Sequence, residues 1–285
     1  MSETVELATR AAAPPVSAGA AQRIRNERRS RLSAVLFPVV SGIGGLLAWE
    51  FVVRWFAIPK FLLPAPSLVL SVMGDYLPLL MRQLGFTALA AGIGFAVALV
   101  LGIAAGAAIT ASRTVERMLY PWLVISHAVP KVVIAPLFIV WIGFGLKSET
   151  IFVIVFTVFP IVVNTVTGLK SADLDLLLLV RSMGAGRWQT LWKIRIPGAL
   201  PSIFAGIKIS ATLAPVGAVI GEFVASNQGM GHLLLQAVGS METPLAFAAV
   251  IVVSIFGIVI WYLAETVERL MIPWHASQRG SILGG

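Results

Sequence analysis

The sequence contains no cysteine. That absence removes disulfides, thiol catalysis and thiolate metal sites together. Charge is scarce as well: Asp, Glu, Lys and Arg make up 12% of the residues, about half the share of an ordinary soluble domain. In their place stand apolar side chains, at 58% of the chain with a mean hydropathy of +0.92. The apolar residues come in unbroken runs of roughly 20, the length of a membrane-crossing helix, and not in alternating strands of about ten. The sequence reads as an all-α polytopic membrane protein. Its formal net charge of +8 fits Lys and Arg held in cytoplasmic loops and makes no case for nucleic acid.

Six segments read as spans: 32–56, 84–110, 119–141, 150–169, 200–224 and 244–270. The third is made irregular by Pro121, Pro130 and Pro136. Residues 1–31 form a basic cytoplasmic tail, disordered to about residue 20 and ending in Arg23, Arg25, Arg28, Arg29 and Arg31. The stretch before the first apolar run is too long for the n-region of a signal peptide, and no small-residue cleavage site follows that run. The membrane domain covers 32–274, with a cytoplasmic loop at 170–199, and a second tail covers 275–285. This topology leaves only Arg54, Lys60, Arg82 and Lys147 outside. The tails and inner loops hold every other Lys and Arg except Lys131 and Lys208, which fall inside spans. Such a bias places both termini in the cytoplasm. The location expected is a cytoplasmic membrane, crossed several times. The longer external connections, 58–83 and 225–243, could rim the mouth of a pathway. No internal repeat supports an inverted-repeat carrier.

The loop between the fourth and fifth spans is polar and basic but patterned. A short helix over 176–183 would be broken at Gly184. Gly186 adds freedom, and a second helix over 187–194 would precede Pro197. Arg187, Trp188 and Trp192 are residue types that dominate protein interfaces. Two readings fit equally: a docking hairpin for a soluble partner, or an interfacial helix on anionic lipid.

At this loop the chain resembles the permease subunits of type I ABC importers, whose loop reads E-A-A-x-x-x-G, then about nine residues, then I-x-L-P. Gly184 and the pairs Ile196–Pro197 and Leu200–Pro201 match that pattern. Leu178, Leu179 and Val180 replace its acidic residue and alanines. The likeness runs from about residue 62 to 274. Leu63–Ser67, Val129–Lys131, Ala135–Gly145, Phe159–Thr165, Gly221–Phe223 and Gly229–Gly231 are similar to the nitrate/sulfonate/taurine permease group. Pro130 and Lys131 are most like permeases for thiamine-pyrimidine or riboflavin precursor uptake. The resemblance implies a type I ABC importer transmembrane domain whose permease copies pair as a homodimer. It also implies two ATPase subunits that carry ATP and Mg, with no cofactor on this chain, and an extracytoplasmic solute-binding protein. The expected cargo is a small polar or anionic organic solute. Arg181, Met183, Gly184, Ala185, Gly186, Arg187 and Trp188 would then couple the chain to the ATPases.

Hydrolysis itself is expected elsewhere. The nearest string to a phosphate-cradling loop, Gly145 to Ser148, lacks the glycine before its lysine. The chain is therefore expected not to be an enzyme. Ser126 and His127 are adjacent and would point about 100° apart on a helix, the wrong geometry for nucleophile and base.

Ionisable residues inside a membrane are functional candidates by default. His127, Lys131, Asn164, Lys208 and Glu222 are the candidates for the translocation pathway. Each has a plainer reading. His127, Lys131 and Lys208 could snorkel to the inner interface, Asn164 could bond a neighbouring helix, and Glu222 could brace an outer gate. Glu50 and Arg54, four apart, read as a structural ion pair. The alternative to an ATP-driven permease is an ion-coupled secondary transporter, which would want paired carboxylates at the midplane.

Overall fold

A computed structural model describes residues 18–272, and no strand occurs among them. The chain forms two compact units: the residues up to Pro59 with Leu63–Ser67, and Lys60–Leu62 with everything from Leu68 onward.

In the first unit, helix α1 covers Ala18–Trp55. The tail expected over 1–31 is thus helical from Ala18, because alanines, Gln22, Arg23 and Arg25 are good helix formers and continue the span without a break. Residues 1–17, and the tail expected over 275–285, lie outside the described residues. Near the end of α1, Arg54 Nε meets Glu50 Oε1 at 2.6 Å. Ser67 donates to the same carboxylate through its backbone N–H at 3.0 Å and its hydroxyl at 2.7 Å.

The remaining helices, in chain order, are α2 (Pro66–Asp75), α3 (Leu77–Ala111), α4 (Arg113–Ala128), α5 (Ala135–Ile142), α6 (Leu146–Lys170), α7 (Leu174–Ser182), α8 (Arg187–Thr190), α9 (Ile196–Ala225), α10 (Met230–Gly239) and α11 (Thr243–Met271). A π-helical turn, Leu191–Arg195, joins α8 to α9.

Among the described residues, five continuous helical stretches, not six, are long and apolar enough to cross a bilayer. The third expected span is the exception. Val129, held in the extended region (φ −69°, ψ 126°) by the following Pro130, ends α4, and the chain resumes as α5. The pair still makes a crossing, as glycine contacts show. A Cβ on Gly94, Gly102 or Gly106 of α3 would press on Val153, Ile161 or Thr165 of α6. The partner numbers rise in step, so α3 and α6 run parallel. The chain between them must therefore return to its starting face, and α4 with α5 is that return.

Helix α9 packs antiparallel to α6: Gly206 lies against Asn164, Gly217 against Val153 and Gly221 against Glu149. Small residues let these backbones approach, which is how helices associate where the hydrophobic effect gives no drive. Between them, the buried Ser210 hydroxyl donates to the Thr157 carbonyl at 2.6 Å. Large apolar side chains such as Phe51, Val100, Val140 and Ile258 stay on the surface, as lipid-facing residues do.

Candidate functional site

The loop hairpin is built by local rules. Asp173 opens α7, its carboxylate accepting the Asp175 N–H at 2.9 Å. At the other end, Gly184 takes φ +83°, a left-handed conformation that favours glycine. Its N–H donates to Arg181 O at 3.0 Å, and the Ala185 N–H donates to Val180 O at 3.1 Å. These two bonds make a Schellman cap. The second helix begins at once. The Gln189 side chain accepts the Gly186 N–H at 3.2 Å, and Gly186 O accepts the Thr190 N–H at 3.0 Å. This is the reaching-back half of a capping box. The reversal is thus fixed at both ends.

The second helix does not stop before Pro197, as the sequence suggested. It widens into the π-helical turn, where the Ile196 N–H bonds Leu191 O, and then continues as α9 with Pro197 in its first turn. The wider turn accommodates the proline, which has no N–H and whose ring would clash with an α-helical carbonyl. Of the coupling candidates, Arg181 sits in the last turn of α7, Met183 and Gly184 form the cap, and Ala185 and Gly186 form the turn. Arg187 begins α8, and its side chain lies outside the described residues. Met183 and Trp188 are 78% and 72% exposed, and Leu174, Leu178, Leu179 and Trp192 extend this apolar surface along the hairpin.

The other candidates do not converge on one cavity. Glu222, near the far end of α9, is fully buried. Its Oε2 accepts the Gly231 N–H at 2.7 Å. Gln83 Oε1 takes the Gly229 N–H at 2.7 Å, and Thr87 Oγ1 takes the Met230 N–H at 2.9 Å. Three side chains from α3 and α9 thus satisfy the orphan donors that open α10. The carboxylate is the member that also suits the helix dipole. Gly229 (φ +94°) leaves no room for a Cβ beside that carboxylate. Glu149 is buried nearby, and the Gly145 N–H bonds Ala225 O at 2.7 Å.

Lys131 lies in the break between α4 and α5, its ammonium 5.3 Å from the centre of the Phe156 ring. His127 is in the last turn of α4, and its side chain is outside the described residues. Asn164 bonds within its own helix, donating to Pro160 O at 2.9 Å. It meets α9 by packing on Gly206, not by the interhelical bond that its polarity suggested.

Lys208 reaches two acids on α11, Glu268 Oε2 at 2.6 Å and Glu265 Oε2 at 3.0 Å. Arg269 holds the other oxygen of Glu265 at 3.2 Å. Sequence reasoning missed Glu149, Glu265 and Glu268. The signal for the last two was there, since they stand one turn apart in the final turns of an apolar helix. Gln83 and Thr87 gave no signal, because their roles depend on a backbone segment about 145 residues away.

A family model described as the binding-protein-dependent transport system inner membrane component matches residues 98–273. The riboflavin transport system permease protein RibX of Chloroflexus aurantiacus is 36% identical, over 90% of this chain and 96% of its own length. The formylaminopyrimidine transport permease protein ThiX of Halalkalibacterium halodurans is 32% identical, over 82% of this chain and 93% of its own. Among solved structures, an inward-facing conformation of the MetNI methionine ABC transporter superposes with a TM-score of 0.60 at 18% identity. That match covers 69% of this chain and 97% of the other.

Proposed function

This chain belongs to the family of binding-protein-dependent transport system inner membrane components, and on that premise we propose how it works. It pairs with a second copy as a homodimer and forms the pathway for a small polar or anionic organic solute. Two ATPase subunits, which bind and hydrolyse ATP with Mg, dock on the hairpin 170–199. An extracytoplasmic solute-binding protein delivers the cargo. The chain makes and breaks no covalent bond and carries no cofactor. Both termini face the cytoplasm, the side to which the Lys and Arg bias assigns the hairpin. Relatives named for riboflavin and formylaminopyrimidine transport support a nitrogen heterocycle as the cargo.

One observation carries this reading. The exposed apolar hairpin ends in fixed caps on one side and is continuous with a membrane-crossing helix on the other. A partner that moves Trp188 moves α9. Gly184→Val is the test. Its left-handed φ penalises a β-branched residue, while a Cβ there meets nothing within 4 Å. Membrane insertion should be retained, with solute-stimulated ATPase activity and uptake falling together by roughly tenfold or more. Normal uptake by that variant would remove the hairpin from the mechanism.

Lys131 is assigned to the inner part of the pathway. Its ammonium is held by a ring face and has no carboxylate partner among the described residues, so it is available to an anionic or carbonyl-bearing solute. Lys131→Ala should raise the concentration for half-maximal uptake by roughly tenfold, the effect of losing one charge-assisted hydrogen bond. Complex assembly should be unchanged. Loss of assembly would make the residue structural.

A further inference from the structure

Where α3 and α6 end beside the hairpin, a cavity of 910 Å³ opens between them. Arg113, Arg181 and Arg195 line it together with Trp188, and Ala107 and Ala111 of α3 form part of its apolar wall. Among the described residues, no carboxylate lines it. The nearest acid on α4, Glu116, is taken by Lys170. Among the described residues, none of the three guanidinium groups has an ion-pair partner. Three like charges around one concavity repel one another unless an anion joins them.

Guanidinium is the group best matched to phosphate, because its planar fork donates two parallel bonds. The depth of the site is equally specific. It lies where α3 and α6 terminate, the level of lipid headgroups, with a tryptophan and three alanines of α3 in its lining. We propose that this cavity binds a phosphate group, supplied by an anionic phospholipid whose acyl chains run along the apolar wall. A bound headgroup would join the hairpin, through Arg181 and Trp188, to the ends of α3 and α9. This goes beyond the transport reading, and its test needs no transport.

The full-length protein is purified in detergent and offered phosphatidylglycerol or zwitterionic phosphatidylcholine, and bound lipid is counted by native mass spectrometry. The wild type should retain phosphatidylglycerol preferentially. Arg113→Gln with Arg195→Gln should weaken that retention by roughly fivefold for each arginine removed. Arg113→Lys should keep most of it, and Arg117→Gln, outside the cavity, should change nothing. Should the double variant fail to fold, Arg113→Gln alone carries the comparison. A parallel titration with inorganic phosphate separates the sources. Phosphate binding that the double variant loses, without lipid preference, keeps the site and makes its ligand soluble. Equal phosphatidylglycerol retention in wild type and double variant, with no phosphate binding, overturns the proposal.

Discussion

Replacing Lys208 with methionine is expected to destabilise the protein by about 3–5 kcal/mol, the penalty for breaking a buried ion pair by removing one member. The reason lies in what remains. Glu268 and Glu265 are both buried, and each sits within 3.0 Å of the Lys208 ammonium. Without it, two carboxylates one turn apart repel each other more strongly, while Arg269 still reaches Glu265. The same reasoning makes a second expectation. Lys208→Met combined with Glu265→Gln and Glu268→Gln should recover most of the loss, because the repulsion between the two acids goes with their charges. Thermal unfolding of the three proteins in detergent reads the difference directly. If Lys208→Met alone unfolds like the wild type, the triad is not what ties α9 to α11.

Two glycines two residues apart on α3 should respond in opposite directions. Gly94→Ala should cost about 1–3 kcal/mol through overpacking, since its Cβ would lie 2.5 Å from Val153 Cβ and 2.8 Å from the Thr150 carbonyl oxygen. The carbonyl belongs to the α6 backbone and cannot swing aside. Gly92→Ala meets nothing within 4 Å and should stabilise the helix by about 0.5–1 kcal/mol, because alanine loses less backbone entropy. Gly94→Leu should prevent the α3–α6 pair from closing and abolish accumulation of folded protein. Folded yield and thermal midpoint of the three variants are the readout. Equal behaviour of Gly92→Ala and Gly94→Ala would mean that these helices are not in contact.

Much of this architecture could be read from the chain. The apolar runs located the second, fourth, fifth and sixth spans to within about two turns, but not the start of α1 or the break after α4. Gly184 marked the helix reversal because few other residues accept its dihedral angles. What could not be read was set by partners far away in sequence. Lys208 looked like a snorkelling cation because the acids that hold it lie 57 and 60 residues on. Glu222 looked like a pathway or gate residue. Its hydrogen-bonding partner is a backbone amide nine residues on, and an amide carries no sequence signature. The two prolines misled in opposite ways. Pro130 breaks its helix because Val129 before it turns extended. Pro197 does not, because the preceding π-helical turn makes room for it.

The residues from Trp188 to Ala225 form one stretch of 38 residues, about 57 Å of rod at 1.5 Å per residue. A rod of that length swung through about 5° carries one end roughly 5 Å relative to the other. Trp188 stands at one end, and Glu222 grips the first turn of α10 close to the opposite end. On the proposed docking of the hairpin, a small push at Trp188 would reach the far end of α9 as a tug on the amide that Glu222 holds. The chain would then work as a tiller, with the carboxylate of Glu222 where the rudder is tied.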